Sequence, residues 1–431
     1  MTLLVISPDY ASHLFPLATL ATAWRDAGER VVVATGHATD AIVGAFGFER
    51  AHLQLGRGSN PGVIRAEEQP PGEDEALRGF FDATRRGAVE TLAFQAAARG
   101  DDLLWNPVGV ARDVQDVLAR VRPRHVIVDH LAFSARLALH AARVRHADVV
   151  LGHPTALVVG DEVYGYPPAW PRRFHPDPAA LAALRRMCEQ VRDAFTAEWN
   201  AALAVLDPGA APSVDAFAET GDLLLLNYPR ALHAPERTAL LPPDHAFLGS
   251  AVRTEARDPE IEEWLAADDR PLVYASLGSF LSVRSDVLAR IAEALAPLDV
   301  RVALARGQTP LAALGDVPAS WLVRESLPQV TLLGHAAATI SHGGNNSVTE
   351  ALTAGVPLVL LPFSTDQFAG AAALEDAGFG EALDPNAATA AEIRDAVVRA
   401  LDDVARDRLD RLGRDLRAIP GAQVARRALV G

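Results

Sequence analysis

The sequence predicts an α/β protein of two Rossmann-like, doubly wound domains that face each other across a cleft. Three observations carry this. The chain has 431 residues, more than one compact core normally organises. Short apolar runs alternate with helical stretches, the pattern of a parallel sheet covered by helices. The alternation restarts near Pro271 after an irregular connection, so it occurs twice.

In the first half, residues 3–6 form an apolar run closed by Ser7-Pro8-Asp9, and a helix follows over 14–27. Pro16 suits its first turn, where a missing N–H costs nothing, and Gly28 suits its C-terminal cap. Residues 30–34 return as a strand, and the runs at 126–128, 148–151 and 223–226 repeat the pattern. Pro242-Pro243 and Asp244-His245 mark 236–255 as a linker. Beyond it, strands are predicted at 272–275, 300–305, 337–340 and 358–361, with a helix over 287–295. The division is then an N-terminal domain 1–235, a C-terminal domain 256–410 and a helical tail 411–431 packing back on the first domain. The acidic, Pro-rich stretch 67–75 reads as a mobile surface loop.

Apolar residues make up 49% of the chain, enough for two cores. The formal charge of −15 argues against nucleic acid, whose phosphates need a basic surface. All 40 positive residues are Arg. Cys188 is the only cysteine, so no intrachain disulfide forms and a reducing, cytoplasmic setting is expected. The N-terminus lacks a basic start, its apolar run is too short for a signal peptide, and no membrane span is predicted.

In doubly wound sheets, ligands sit at the carboxyl ends of the strands. This singles out four loops, at 7–13, 129–133, 342–347 and 362–367. The most specific is the run Thr339-Ile-Ser-His-Gly-Gly-Asn-Asn-Ser-Val-Thr-Glu350. A strand ends, Gly343 and Gly344 permit close backbone approach, and a helix starts at Asn346 or Ser347. Its exposed N–H groups suit a diphosphate, with His342, Asn346 and Ser347 alongside. Ser347-x-x-Glu350 also reads as an ordinary capping box, as does Ser364-x-x-Gln367 around Asp366. No Asp-x-Asp pair ends a strand and no histidines have ligand spacing, so neither metal nor cofactor is expected.

The segment Leu327-Pro-Gln329 through Ser341-His-Gly-Gly, then Glu350, Gly355-Val-Pro357, Pro362 and Asp366-Gln367, resembles the signature of the nucleotide-sugar-dependent glycosyltransferases. These include plant secondary-product enzymes and bacterial macrolide and antibiotic enzymes. Val273-Tyr-Ala-Ser-Leu-Gly-Ser279 resembles the same family's opening donor-domain strand. The resemblance implies the B-type glycosyltransferase fold, with the acceptor held mainly by the N-terminal half. It places Ser279, Gly344 and Asn345 at the donor, His342, Asn346 and Ser347 at its phosphates, Glu350 at the ribose, Asp366 and Gln367 at the sugar, and Leu327 and Gln329 near the base. Ser326 stands where plant members place a base-stacking Trp.

His13 follows the first strand at a helix start, which resembles the family's catalytic histidine, with Ser12 where Gly is usual. A hydroxyl acceptor must lose its proton as it attacks, and a neutral imidazole takes it at pH 7. Asp129, at the end of the 126–128 run, would hold the tautomer and stabilise the resulting charge; Asp9 is the other carboxylate in reach. His37, His130, His153 and His233 read as structural or surface residues.

The expectation is an inverting, metal-independent hexose or deoxyhexose transfer from a UDP- or dTDP-sugar to a small, largely apolar acceptor. The acceptor would meet aromatic surface in 157–170 and at Phe80-Phe81, and the protein would act as a monomer or homodimer. A catalytically silent homologue that activates a partner transferase is the alternative. Neither first loop contains the Gly-x-Gly-x-x-Gly of a nicotinamide oxidoreductase, and the His13 loop argues against a sugar-nucleotide epimerase.

Overall fold

The computed structural model describes the chain except residues 63, 64, 66–68, 70, 71, 103, 153–155 and 403–405. It holds two open, wholly parallel sheets. The first contains β1 (Thr2–Ile6), β2 (Arg30–Thr35), β3 (Glu49–His52), β4 (His125–Asp129), β5 (Ala147–Val150), β6 (Leu223–Leu226) and β7 (His245–Phe247), in the order β3-β2-β1-β4-β5-β6-β7. The second contains β8 (Leu272–Ser276), β9 (Arg301–Ala305), β10 (Leu322–Arg324), β11 (Ala336–Ser341), β12 (Leu358–Leu360) and β13 (Gly380–Ala382), in the order β10-β9-β8-β11-β12-β13. In each sheet the strand order reverses beside the first strand, which opens a crevice at the carboxyl ends.

The central strands carry apolar runs on both faces because helices cover both. In β1, Leu3 and Val5 pack with Leu14, Leu17 and Trp24 of the helix Ala11–Arg25. Leu4 and Ile6 point the other way, to Val110 and Val114 of the helix Pro107–Val121. The second sheet repeats this, Val273 and Ala275 facing one cluster and Leu272 and Tyr274 the other.

Several boundaries differ from expectation. The first helix begins at Ala11, so Pro16 lies inside it rather than in its first turn. The stretch read as linker contains β7, which pairs with β6, so the first sheet extends through Phe247. Glu73 to Glu75 open the helix Glu73–Arg86 rather than a loop, while 67, 68, 70 and 71 lie outside the described residues. The tail divides: the helix Arg406–Ala418 packs on the second half, and Gly421–Val430 lies against Ala11–Arg25. There Arg426 binds Glu29 at 2.5 Å and Ala425 joins the first core. Among the described residues, no helix is long and apolar enough to cross a membrane.

Candidate functional site

A cleft of about 750 Å³ lies between the two halves at the carboxyl ends of both sheets. Of the residues singled out from sequence, His13, Ser279, Gln329, His342, Gly344, Asn345, Asn346, Ser347, Asp366 and Gln367 line it. Asp129, Glu350 and Leu327 do not. Asp129 is fully buried behind His13, Glu350 is buried behind Gln329, and Leu327 packs against the second core.

β4 ends at Asp129 and the first helix starts at Ala11, which sets His13 in that helix's first turn beside the carboxylate. His13 Nδ1 lies 2.7 Å from Asp129 Oδ2, and Asp129 Oδ1 accepts the Leu131 N–H at 2.8 Å. An ionised carboxylate only accepts, so Nδ1 carries the proton and Nε2 is left as the basic nitrogen. Burial alone would lower the imidazole pKa, but Asp129, with a smaller push from Asp366, raises it above the ordinary value. Asp9 is not the partner. Its carboxylate binds the Ala38 and Thr39 N–H groups and the Thr39 hydroxyl, tying two loops together.

Across the cleft, β11 ends at Ser341 and the helix Asn345–Ala354 begins with Gly344 as its N-cap. Val348 N–H bonds Gly344 C=O, so the N–H groups of Asn345, Asn346 and Ser347 precede the first helical hydrogen bond and remain for a ligand. His342 stands beside them, its buried Nδ1 without a hydrogen-bond partner. Burial pushes its pKa down to about 4, so it is neutral here. Two glycines make room for its ring. A Cβ at Gly278 would lie 2.6 Å from His342 Cε1, and one at Gly344 would lie 2.4 Å from its Nε2.

The capping-box reading of Ser347 and Glu350 is not realised. Ser347 Oγ bonds Gln329 Oε1 at 3.3 Å, Gln329 Nε2 bonds Glu350 Oε2 at 2.5 Å, and Arg253 Nη1 holds Glu350 Oε1 at 2.5 Å. Glu350 therefore braces Gln329 at the cleft wall. The capping box around Gln367 is only half formed: the helix starts at Gln367 with Asp366 as its N-cap, and Gln367 Oε1 accepts the Phe363 and Ser364 N–H groups at 2.9 and 3.2 Å, closing the loop that presents Asp366. Thr365, just before Asp366, is left-handed at φ 48°, and its N–H bonds Gln95 of the first half.

Both halves meet at this site. Asn346 Nδ2 bonds Ser12 C=O at 2.7 Å, Asn345 Nδ2 bonds Asn227 C=O at 3.0 Å, and Asn60 Nδ2 bonds Ser279 Oγ at 3.3 Å. Sequence reasoning missed Asn60, Gln95, Asn227 and Arg253. Asn227 follows β6, so the strand-end rule reaches it; the others come from loops or helices with no distinguishing spacing. Of the expected aromatic surface, Phe80 and Tyr164 line the cleft, whereas Phe81 is buried and Trp170 packs on Phe368 of the second half at 4.9 Å.

The histidines read as structural or surface residues lie as follows. His130 is buried against Asp148 at 3.0 Å, whose carboxyl burial alone would raise but Arg136 holds at about 2. His37 stacks on His52 at 4.4 Å, His233 bonds Thr238 at 2.8 Å, and His153 lies outside the described residues. Among the described residues, no three His, Cys, Asp or Glu side chains are grouped to hold a metal ion.

Comparison with known proteins agrees with the fold and the motif. The glycosyltransferase of kitacinnamycin aligns over 99% of both chains with a TM-score of 0.69 at 21% identity. The glycosyltransferase VinC in complex with dTDP aligns over 99% of this chain and 98% of its own, TM-score 0.67, at 20% identity. In sequence, NDP-glycosyltransferase YjiC of Bacillus subtilis is 32% identical over 160 residues, 37% of this chain and 41% of the relative. Demethyllactenocin mycarosyltransferase of Streptomyces fradiae is 32% identical over 167 residues, 38% of this chain and 36% of the relative. The chain thus spans about two fifths of the length of the curated relatives it matches. Residues 218–414 match the family model described as UDP-glucoronosyl and UDP-glucosyl transferase. The expected resemblance is met at the level of fold and motif: the chain has the two-domain B-type glycosyltransferase fold, and its residues 218–414 are similar to the UDP-glucoronosyl and UDP-glucosyl transferase family.

Proposed function

We propose that the protein is an inverting glycosyltransferase that moves a hexose or deoxyhexose from a UDP- or dTDP-sugar to a hydroxyl of a small, largely apolar acceptor. The observation that carries this is the His13–Asp129 dyad, 2.7 Å apart, opposite the free helix start at Asn345. His13 Nε2 removes the acceptor proton as the oxygen attacks the anomeric carbon, and Asp129 stabilises the imidazolium that forms. The diphosphate leaves toward the N–H groups of Asn345, Asn346 and Ser347, which stabilise its charge without a metal. His342 adds a hydrogen-bond donor there; being neutral in the free protein, it contributes no charge until an anion raises its pKa. One base on the acceptor side permits direct displacement from the face opposite the leaving group, hence inversion. A silent activator would have no use for the dyad.

Binding of UDP or dTDP should raise the melting temperature by an amount set by concentration over Kd, and His342→Ala should reduce that rise. Turnover should persist in excess chelator, and NMR of the product should show an inverted anomeric centre. No shift with either nucleotide, activity restored only by added magnesium or manganese, or a retained configuration would each contradict the assignment.

A further inference from the structure

The cleft is lined by two arginines in different electrostatic states. Arg253 is balanced by Glu255 at 2.8 Å and Glu350 at 2.5 Å. Arg99, on the helix Ala88–Asp102 of the first half, has no carboxylate partner among the described residues. Its guanidinium lies over the Tyr164 ring, 4.8 Å from the centroid. That ring is a fixed platform, stacked on Phe217 at 4.1 Å and set edge-on to Phe133. The position is also cleared for the cation. Gly165 is left-handed at φ 85°, and a Cβ there would lie 2.3 Å from Arg99 Nη1. Tyr164 and His13 both border the cleft and an adjoining cavity of about 480 Å³ in the first half, which puts the Arg99 platform on the acceptor side, next to the base.

From these observations we infer that Arg99 on Tyr164 is an anion anchor, and that the natural acceptor is an apolar scaffold carrying a carboxylate. The proposal rests on the glycosyltransferase reading and adds the acceptor's charge. A cation on an aromatic face, in a cleft that Leu77, Phe80 and Phe94 also line, gains most from a planar anion. The guanidinium fork fits a carboxylate through two parallel hydrogen bonds. With the acid so anchored, a hydroxyl elsewhere on the scaffold reaches His13. The other source of a carboxylate in this cleft is a uronic acid on the donor, and the experiment separates the two.

The probes are 6-hydroxy-2-naphthoic acid and its methyl ester, matched in shape and differing in charge at pH 7.5. Binding is read by their intrinsic fluorescence with no donor present, in the wild type, Arg99→Gln and Arg99→Lys. A charge-assisted pair predicts that the wild type binds the acid about 10- to 100-fold tighter than the ester. Arg99→Gln should bring this ratio near one, and Arg99→Lys should leave it in between. In turnover, the acid-to-ester ratio of kcat/KM should fall in the same order. An acid bound no tighter than its ester by the wild type, or a ratio unchanged in Arg99→Gln, would overturn the proposal. So would Arg99 dependence confined to UDP-glucuronate against UDP-glucose. The binding ratio needs no transfer, so absent turnover with every nucleotide sugar would count against the proposed function while the anchor is still judged.

Discussion

His13 is subject to two opposing effects: burial favours its neutral form, and Asp129 favours the cation. The carboxylate prevails, so the basic form appears only above the ordinary histidine pKa of about 6.5. The acid limb of kcat/KM should therefore have its midpoint above that value. Asp129→Asn removes the larger of the two raising influences and leaves burial, so the midpoint should fall while turnover also drops. His13→Ala should lower turnover on an alcohol acceptor by about 10²–10⁴-fold, with little change in nucleotide binding across the cleft. A more acidic phenol should lose less. A pH–rate profile unchanged in Asp129→Asn would separate His13 from the rate-determining proton transfer. The same shift has a stability sign: the pair stabilises the fold fully below the unfolded pKa, and this is lost as pH rises through the raised folded value.

At the scale of elements, Pro16 acquires a function that its position in the sequence conceals. A proline inside a helix has no N–H for the carbonyl four residues back, which here is Ser12 C=O. Asn346 Nδ2 takes that carbonyl at 2.7 Å, so a break in one half's helix becomes a bond to the other half's His342–Ser347 loop. Asn346→Ala should destabilise the protein by about 1 kcal/mol. In a Pro16→Ala background, where a backbone N–H supplies Ser12, the same substitution should cost less. A double-mutant cycle by denaturant unfolding with no coupling would exclude this account. The example also marks what the sequence makes legible. Central strands such as β1, β4, β8 and β11 carry apolar runs and lead into helices, so they stand out. The missed β3, β7, β10 and β13 are short outer strands, and Glu49-Arg-Ala-His52 carries no apolar run to signal pairing. Likewise, the His342–Ser347 loop declares itself through glycines beside polar groups, whereas Arg253 and Asn60 act only once a distant loop reaches them.

At the scale of the molecule, the cleft exists because the halves are tied at points away from the chemistry. One tie is Arg284, 1% exposed, whose Nη1 bonds Thr84 C=O of the first half at 2.9 Å while Nη2 bonds Asn386 at 2.7 Å and Asp286 at 2.7 Å. Asn386 Nδ2 reaches the same Thr84 carbonyl at 3.0 Å, and the guanidinium lies over Phe363, which begins the Asp366 loop. A second tie brings the Arg172 N–H to Glu375 at 2.7 Å beside the Trp170–Phe368 contact. Among the described residues, removing Arg284 leaves Thr84 C=O with Asn386 alone and uncovers a buried site built for a cation. With several hydrogen bonds of a buried guanidinium lost, Arg284→Ala should cost about 3 kcal/mol or more. Because the lost bonds span the halves, the damage should appear as uncoupling as well as weakening. Calorimetry should resolve two transitions, the second half's moving down further, since it loses the internal bonds to Asp286 and Asn386 as well. Nucleotide affinity should fall modestly through the Phe363 loop, and turnover should fall more, because His13 and the phosphate loop must face each other at fixed separation. Retention of one undisplaced transition with wild-type turnover would mean that Arg284 does not hold the halves together.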